Sequence, residues 1–304
     1  MAIKTLKLNE LSWHYLTDFS QEELNFLKKN FKFHPLDIKD CAGETQRSKI
    51  DVYHNYFFLV LQLPYLNKNQ KKVDVSQIYF FVSKDYVITI SRDRIKDLNT
   101  LYYKIVNNQK MREEYFSQGS GYLLYKILDS VLRGSWVVHN YLEQEVRRVE
   151  FDIDEGRNKK SVFDIAFLRR IILQLKAIID PQRILTNNLS RINIKFLNKE
   201  MLLYFDDLDD FIEKNLFILD GYKDRVLSLQ EINESLISFR TNSVMKILTI
   251  FSVALLPLTL LSGIYGMNID LPFAHDPTII WTLFLLLLGV IGGILIYLKK
   301  SDWI

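Results

Sequence analysis

The apolar positions of this chain change their rhythm twice along its length. Up to about residue 115 they cluster in short runs rich in Val, Ile, Tyr and Phe. The clearest are Asp51–Leu63 (DVYHNYFFLVLQL) and Val73–Ser91 (VDVSQIYFFVSKDYVITIS), which read as strands. The polar stretch Leu66–Lys72 (LNKNQKK) between them is turn-like, predicting antiparallel neighbours. Upstream, Ser20 followed three residues later by Glu23 forms a capping box that opens a short helix over Ser20–Asn30. His34-Pro35 ends it. From Gly121 the period becomes helical. Leu124, Ile127, Leu128, Val131, Leu132, Val138 and Leu142 form one stripe over Tyr122–Glu155, with charges opposite. Asp154–Asn158 stops that helix, and a second runs from Ser161 to about Asn188, predicting a hairpin in which Pro181 kinks or interrupts the second arm.

The third regime is the longest. From Asp206, the residues Leu208, Phe211, Ile212, Leu216, Leu219, Tyr222, Val226, Leu229, Ile232, Leu236 and Phe239 recur at spacings of three and four. The helical pattern then runs on into an uncharged stretch, Ile247–Ile264, and a second uncharged stretch lies at Ile279–Leu298. At ~1.5 Å of rise per residue, ~20 apolar residues cover a hydrocarbon core of ~30 Å. A long helix that enters a membrane without a break needs a partner along its length. The segments expected are 1–120, an α/β domain; 121–205, a helical hairpin; 206–246, a stalk helix; 247–264 and 279–298, two membrane spans; 265–278, the loop joining them; and 299–304, a tail.

Charge orients this arrangement. Arg240 and Lys246 flank the first span, Lys299 and Lys300 come after the second on the same side, and Tyr265–Thr278 has no Lys or Arg. Basic residues stay on the cytoplasmic side, so both termini are expected in the cytoplasm of a cell bounded by this membrane. Met1–Leu11 has no continuous apolar core, so no signal peptide is expected there. Overall composition, with 48% hydrophobic and 25% charged residues and a net charge of +3 over 304 residues, hides the membrane segments by averaging. The single cysteine, Cys41, excludes an internal disulfide and offers no zinc cluster. No phosphate loop or nucleophile–base pair is present, and the histidines at 14, 34, 54, 139 and 275 are scattered. An enzyme is therefore not expected, and neither a resident cofactor nor a nucleic-acid partner is.

The first span carries a distinctive face. Asn242, Met245, Leu248, Ser252, Leu256, Thr259 and Gly263 succeed one another at three- and four-residue steps. Such a stripe serves equally as a helix-packing face, since small residues allow close approach in lipid, or as a pore lining built by several copies. The residues just beyond the span separate the two readings. Tyr265-Gly266-Met267-Asn268 stands at the outer end of the long helix, ahead of a short loop and a final span. Motif and placement resemble the CorA family of magnesium channels, whose signature is Gly-Met-Asn. The resemblance extends to Thr241–Lys246, Pro257-Leu258-Thr259, Gly263-Ile264-Tyr265, and, far upstream, Phe33-His34-Pro35-Leu36 and Gln46-Arg47.

That resemblance implies a homopentamer, an α/β cytoplasmic domain with a long stalk helix continuous with the first of two transmembrane helices, assembled as a funnel around one pore. It implies a passive route for magnesium, and for cobalt or nickel. Gly266, Met267 and Asn268 would form the outer selectivity ring; Met245, Leu248 and Leu256 would be apolar constrictions and Asn242 a polar ring at the cytoplasmic mouth, with Ser252, Thr259 and Gly263 along the same face. Asp270 and Asp276 would gather cations at the outer mouth, or are ordinary solvated loop residues. The family often carries Met-Pro-Glu-Leu in this loop, where Leu271-Pro272-Phe273-Ala274 stands here, with His275 next to it, and imidazole suits transition metals better than magnesium. A zinc transporter of the same superfamily, with or without proton coupling, is the alternative those residues favour. Finally, Asp206-Asp207-Leu208-Asp209-Asp210 opens the stalk. It either compensates the helix dipole or, as the resemblance implies for Asp207, senses internal magnesium. Asn67 stands where a partner aspartate is expected.

Overall fold

The structure is a computed structural model. It describes residues 3–17, 20–43, 46–67, 72–91, 95–156, 161–192, 194, 196–198, 200–268 and 276–300. Residue contacts divide the chain into two compact units, 1–230 and 231–304.

The first unit is built on a six-stranded sheet. Its strands are β1 (Ile3–Leu8), β2 (Leu11–Leu16), β3 (Lys49–Val52), β4 (Tyr56–Asn67), β5 (Lys72–Ser83) and β6 (Tyr86–Ser91), in spatial order β1-β2-β6-β5-β4-β3. All neighbours are antiparallel except β2 and β6. The expected antiparallel pair is the backbone of the sheet, with β4 and β5 in register from Tyr56↔Ser83 to Asn67↔Lys72. Each expected run holds two strands: His54 and Asn55 divide the first run, and Lys84 and Asp85 divide the second. The β1–β2 hairpin turns at Asn9 and Glu10, where Asn9 takes a positive φ of 54°, a conformation asparagine tolerates better than most residues.

Pleating sends alternate side chains to opposite faces. Phe58, Val60, Tyr79, Phe81, Ile88 and Ile90 form one buried face with Leu27, Ile38 and Cys41. These last come from helices α1 (Gln21–Asn30) and α2 (Pro35–Ala42). The capping box on α1 is present, Ser20 and Glu23 each satisfying the other's backbone N–H. Pro35 occupies the first turn of α2, where its missing N–H costs nothing. The opposite face of the sheet meets helices. These are α3 (Lys96–Asn107), α4 (Gln109–Phe116), α5 (Ser120–Gly134), α6 (Trp136–Asp154) and α7 (Ser161–Ser190), of which α5, α6 and α7 touch the central strands.

One helical expectation is corrected and one is narrowed. The helix read over Tyr122–Glu155 is two helices, broken at Ser135, whose N–H bonds the carbonyls of Val131 and Leu132. At the break, a Cβ on Gly134 would overlap the Asp97 carboxylate, so any larger residue there would have to displace that side chain. Conversely, α7 runs through Pro181 without interruption. The carbonyl freed by the missing N–H belongs to exposed Ala177, where water can satisfy it. Meanwhile Ile178, Ile179, Gln182 and Leu185 are buried on both sides of the proline, and Gln182 donates to the Gln62 carbonyl.

The last two helices are α8 (Met201–Tyr265), of 65 residues, and α9 (Pro277–Lys300), of 24 residues. Helix α8 starts at Met201 rather than Asp206. Its buried residues in the first unit include Phe205, Leu208, Ile212, Leu216, Leu219, Val226 and Leu229, most of the predicted stripe. Ile232 and Phe239, also in that stripe, are exposed. Both α8 and α9 carry a window long and apolar enough to cross a membrane, and no residue of either window is buried within this chain. Trp281 and Tyr297, both 70% or more exposed, stand near opposite ends of α9, as aromatic anchors do at the two surfaces of a bilayer.

Candidate functional site

The membrane portion of α8 presents its hydroxyls in a consistent way. Ser252 Oγ donates to the Leu248 carbonyl at 2.9 Å and Thr259 Oγ1 to the Leu256 carbonyl at 2.8 Å; Thr241, Ser243 and Thr249 make the same backward bonds at 2.8–2.9 Å. A hydroxyl whose proton is spent on its own helix keeps only lone pairs to offer outward. The stripe therefore presents acceptors to whatever faces it, interleaved with the exposed apolar side chains of Met245, Leu248 and Leu256. Asn242 and Gly263 are exposed on the same helix.

The helix ends where the Gly-Met-Asn triplet begins. The N–H of Gly266 bonds the Ser262 carbonyl at 2.9 Å and that of Met267 bonds the Ile264 carbonyl at 3.2 Å. A Cβ on Gly266 would sit 3.0 Å from the Ser262 carbonyl oxygen, so glycine suits this tight exit. Met267 is 55% exposed and Asn268 is exposed, both displayed just beyond the last turn.

Asp276 serves its own helix. Its carboxylate accepts the Thr278 N–H at 3.0 Å and its carbonyl the Ile280 N–H, capping α9. Asp270 and His275 lie outside the described residues.

The acids of α8 are not at its N-terminus, which has no acid in its first turn. Because the macrodipole is felt within the first turn only, Asp206–Asp210 are too far along to compensate it. Asp207 Oδ2 accepts from Tyr125 Oη at 3.1 Å and lies 3.5 Å from Arg133 Nη2. Asp209 lies 2.5 Å from Thr186 Oγ1 and 3.4 Å from Asn187 Nδ2. At the other expected position, Asn67 Nδ2 donates to Asp74 Oδ2 at 3.0 Å, and Lys72 Nζ is 3.0 Å from Asp74 Oδ1. That hydrogen bond, with Lys72 beside it, holds the Asp74 carboxyl below its usual range. Within one chain, Asp207, Asp209 and Asp74 each face the chain's own cation or donors. Among the described residues no three His, Cys, Asp or Glu side chains gather as a metal site. The sequence could not announce the Arg133 contact, because the partners are 74 residues apart.

A model of the family described as CorA-like Mg2+ transporter protein matches residues 9–300. The chain is 29% identical over 280 residues to the cobalt/magnesium transport protein CorA of Thermotoga maritima, covering 90% of this chain and 78% of that one. It is 20% identical over 264 residues to the zinc transport protein ZntB of Pectobacterium carotovorum, covering 86% and 79%. Among solved structures, the complete CorA magnesium transporter of Methanocaldococcus jannaschii matches with a TM-score of 0.84 at 24% identity, covering 98% of this chain and 94% of that one.

Proposed function

This chain belongs to the CorA-like Mg2+ transporter family as a divalent metal ion transporter held in a membrane by two apolar helices, and from that premise we propose that it is a passive channel for magnesium. Five copies surround one pore lined by the membrane part of α8, in a plasma membrane with both termini cytoplasmic. The observation that carries this reading is the outward-facing acceptor stripe of Ser252 and Thr259 leading to an exposed Gly266-Met267-Asn268 exit.

Magnesium keeps its waters tightly. Lone pairs along the stripe, and the carbonyl oxygens of an Asn268 ring, accept hydrogen bonds from a hydrated ion without stripping it. A carboxylate ring would hold the ion longer, and conduction requires release. The exposed rings of Met245, Leu248 and Leu256 close the path by dewetting. An inside-negative potential contributes ~4.6 kcal/mol per 100 mV for a divalent ion, enough to drive uptake without a nucleotide.

Replacing Asn268 with Ala removes the acceptor ring and leaves the span unchanged. Magnesium uptake is expected to fall at least about tenfold, a cost of one transition-state hydrogen-bonding ring, with the oligomer intact by size-exclusion chromatography. Undiminished, selective uptake would remove Asn268 from the filter. A second reading keeps the fold and changes the ion to zinc. It is favoured by His275 and by the likeness to a zinc transport protein.

A further inference from the structure

Where α5 meets α8, a carboxylate is met by a cation of the same chain. We propose that Arg133 is a built-in counter-cation for Asp207, holding with its own guanidinium the place a cytoplasmic divalent ion would take, so that the α5–α8 contact does not depend on magnesium.

Three partners hold the guanidinium, and a fourth residue holds the Asp207 oxygen it faces. Its Nε donates to Asp129 one turn back on α5, its Nη2 reaches Asp207 at 3.5 Å, its centre lies 4.9 Å from the Phe211 ring centroid, and Tyr125 shares the same Asp207 oxygen at 3.1 Å. Asp207 is about half exposed, so solvent screens the pair and its own strength is modest. Exclusion works by a different route. A hydrated divalent ion approaching Asp207 meets a fixed positive charge at contact distance, and an arginine stays charged at every physiological pH. The planar group stacked on Phe211 and forked between two carboxylates cannot simply swing aside without leaving Asp129 behind. The neighbouring Asp209 is engaged by Thr186 and Asn187. Beside Asn67, which stands where a partner aspartate was expected, Lys72 likewise faces a carboxylate, that of Asp74, at 3.0 Å.

This inference takes its relevance from the proposed function, since a transporter of divalent ions experiences changing internal concentrations of them. Its readout is binding rather than flux, so the two can fail separately. The full-length protein in detergent micelles is melted across a magnesium titration, alongside Asp207→Asn, Arg133→Gln and the double variant. Wild type and Asp207→Asn are expected to respond identically. Arg133→Gln is expected to respond at magnesium concentrations at least about tenfold lower, because a like charge has been removed from beside the carboxylate, and the added Asp207→Asn change abolishes that gain. An Asp207→Asn protein that loses part of the wild-type response would overturn the proposal, as would an Arg133→Gln protein that titrates like wild type. Asp207→Asn keeps the side chain's size, so its comparison with wild type decides the matter even where Arg133→Gln does not fold.

Discussion

Burying an ionisable ring inside a helix packing layer sets an acid limit on the first unit. His139 on α6 is 2% exposed and stacks on Trp136 with ring centroids 4.9 Å apart. Burial lowers its pKa from 6.5 to about 4. The unfolded chain therefore takes up a proton near pH 6.5, whereas the folded chain resists until near pH 4. Stability is full above the unfolded value and falls as the pH drops between the two. Between pH 7 and pH 5 this one ring accounts for a loss of about 2 kcal/mol. Denaturant midpoints of the full chain at the two pH values measure it. His139→Phe, which keeps a ring on Trp136, is expected to remove most of the difference, and an unchanged pH dependence in that variant would contradict the assignment. At the same scale, the polar contacts that decide the acids' roles were not legible in the sequence. Asp207 and Asp209 look alike in an acidic run, yet one faces Arg133 from α5 and the other Thr186 from α7. Nothing local distinguishes them.

Elements were legible where a local rule is strong, and illegible where tertiary contacts overrule it. The capping box at Ser20 and Glu23 is such a rule, and both of its hydrogen bonds are present. Ser20→Ala is expected to cost about 1 kcal/mol, seen as roughly fivefold faster amide exchange across α1 with other helices unaffected. Exchange unchanged in α1 would mean that packing of Leu24 and Leu27 alone holds it. The β1–β2 hairpin carries a fainter signal, because Leu6 and Leu8 alternate with lysines only briefly before the turn at Asn9. Two strands of six residues each are too short for that alternation to stand out. Pro181 misleads in the other direction. A proline normally ends a helix, but buried neighbours on both sides and an exposed Ala177 make continuity the better solution. The break at Ser135 lies beside the contact between Gly134 and Asp97, far away in the chain, and no periodicity within α5 or α6 encodes it.

At the scale of the whole molecule, the two membrane helices were the most legible features, since uncharged length is itself the physical requirement for spanning a bilayer. The candidate pore was legible only as a face. One copy of this chain places Ser252, Thr259 and Asn268 along or just beyond one helix and encloses nothing, because no residue of either apolar window is buried. A conducting path belongs to an assembly, and a single sequence carries it only as a stripe and a terminal motif. The sheet and long helix arise from apolar pattern, whereas ion choice depends on a few side chains multiplied around an axis. The most direct test is ion flux into proteoliposomes holding the purified full-length protein, under an imposed inside-negative potential, with magnesium and zinc presented separately and zinc repeated with and without a pH gradient. The expected result is magnesium uptake that rises with the potential and needs no proton gradient. Zinc uptake that requires the pH gradient, with no magnesium flux, would contradict a passive magnesium channel.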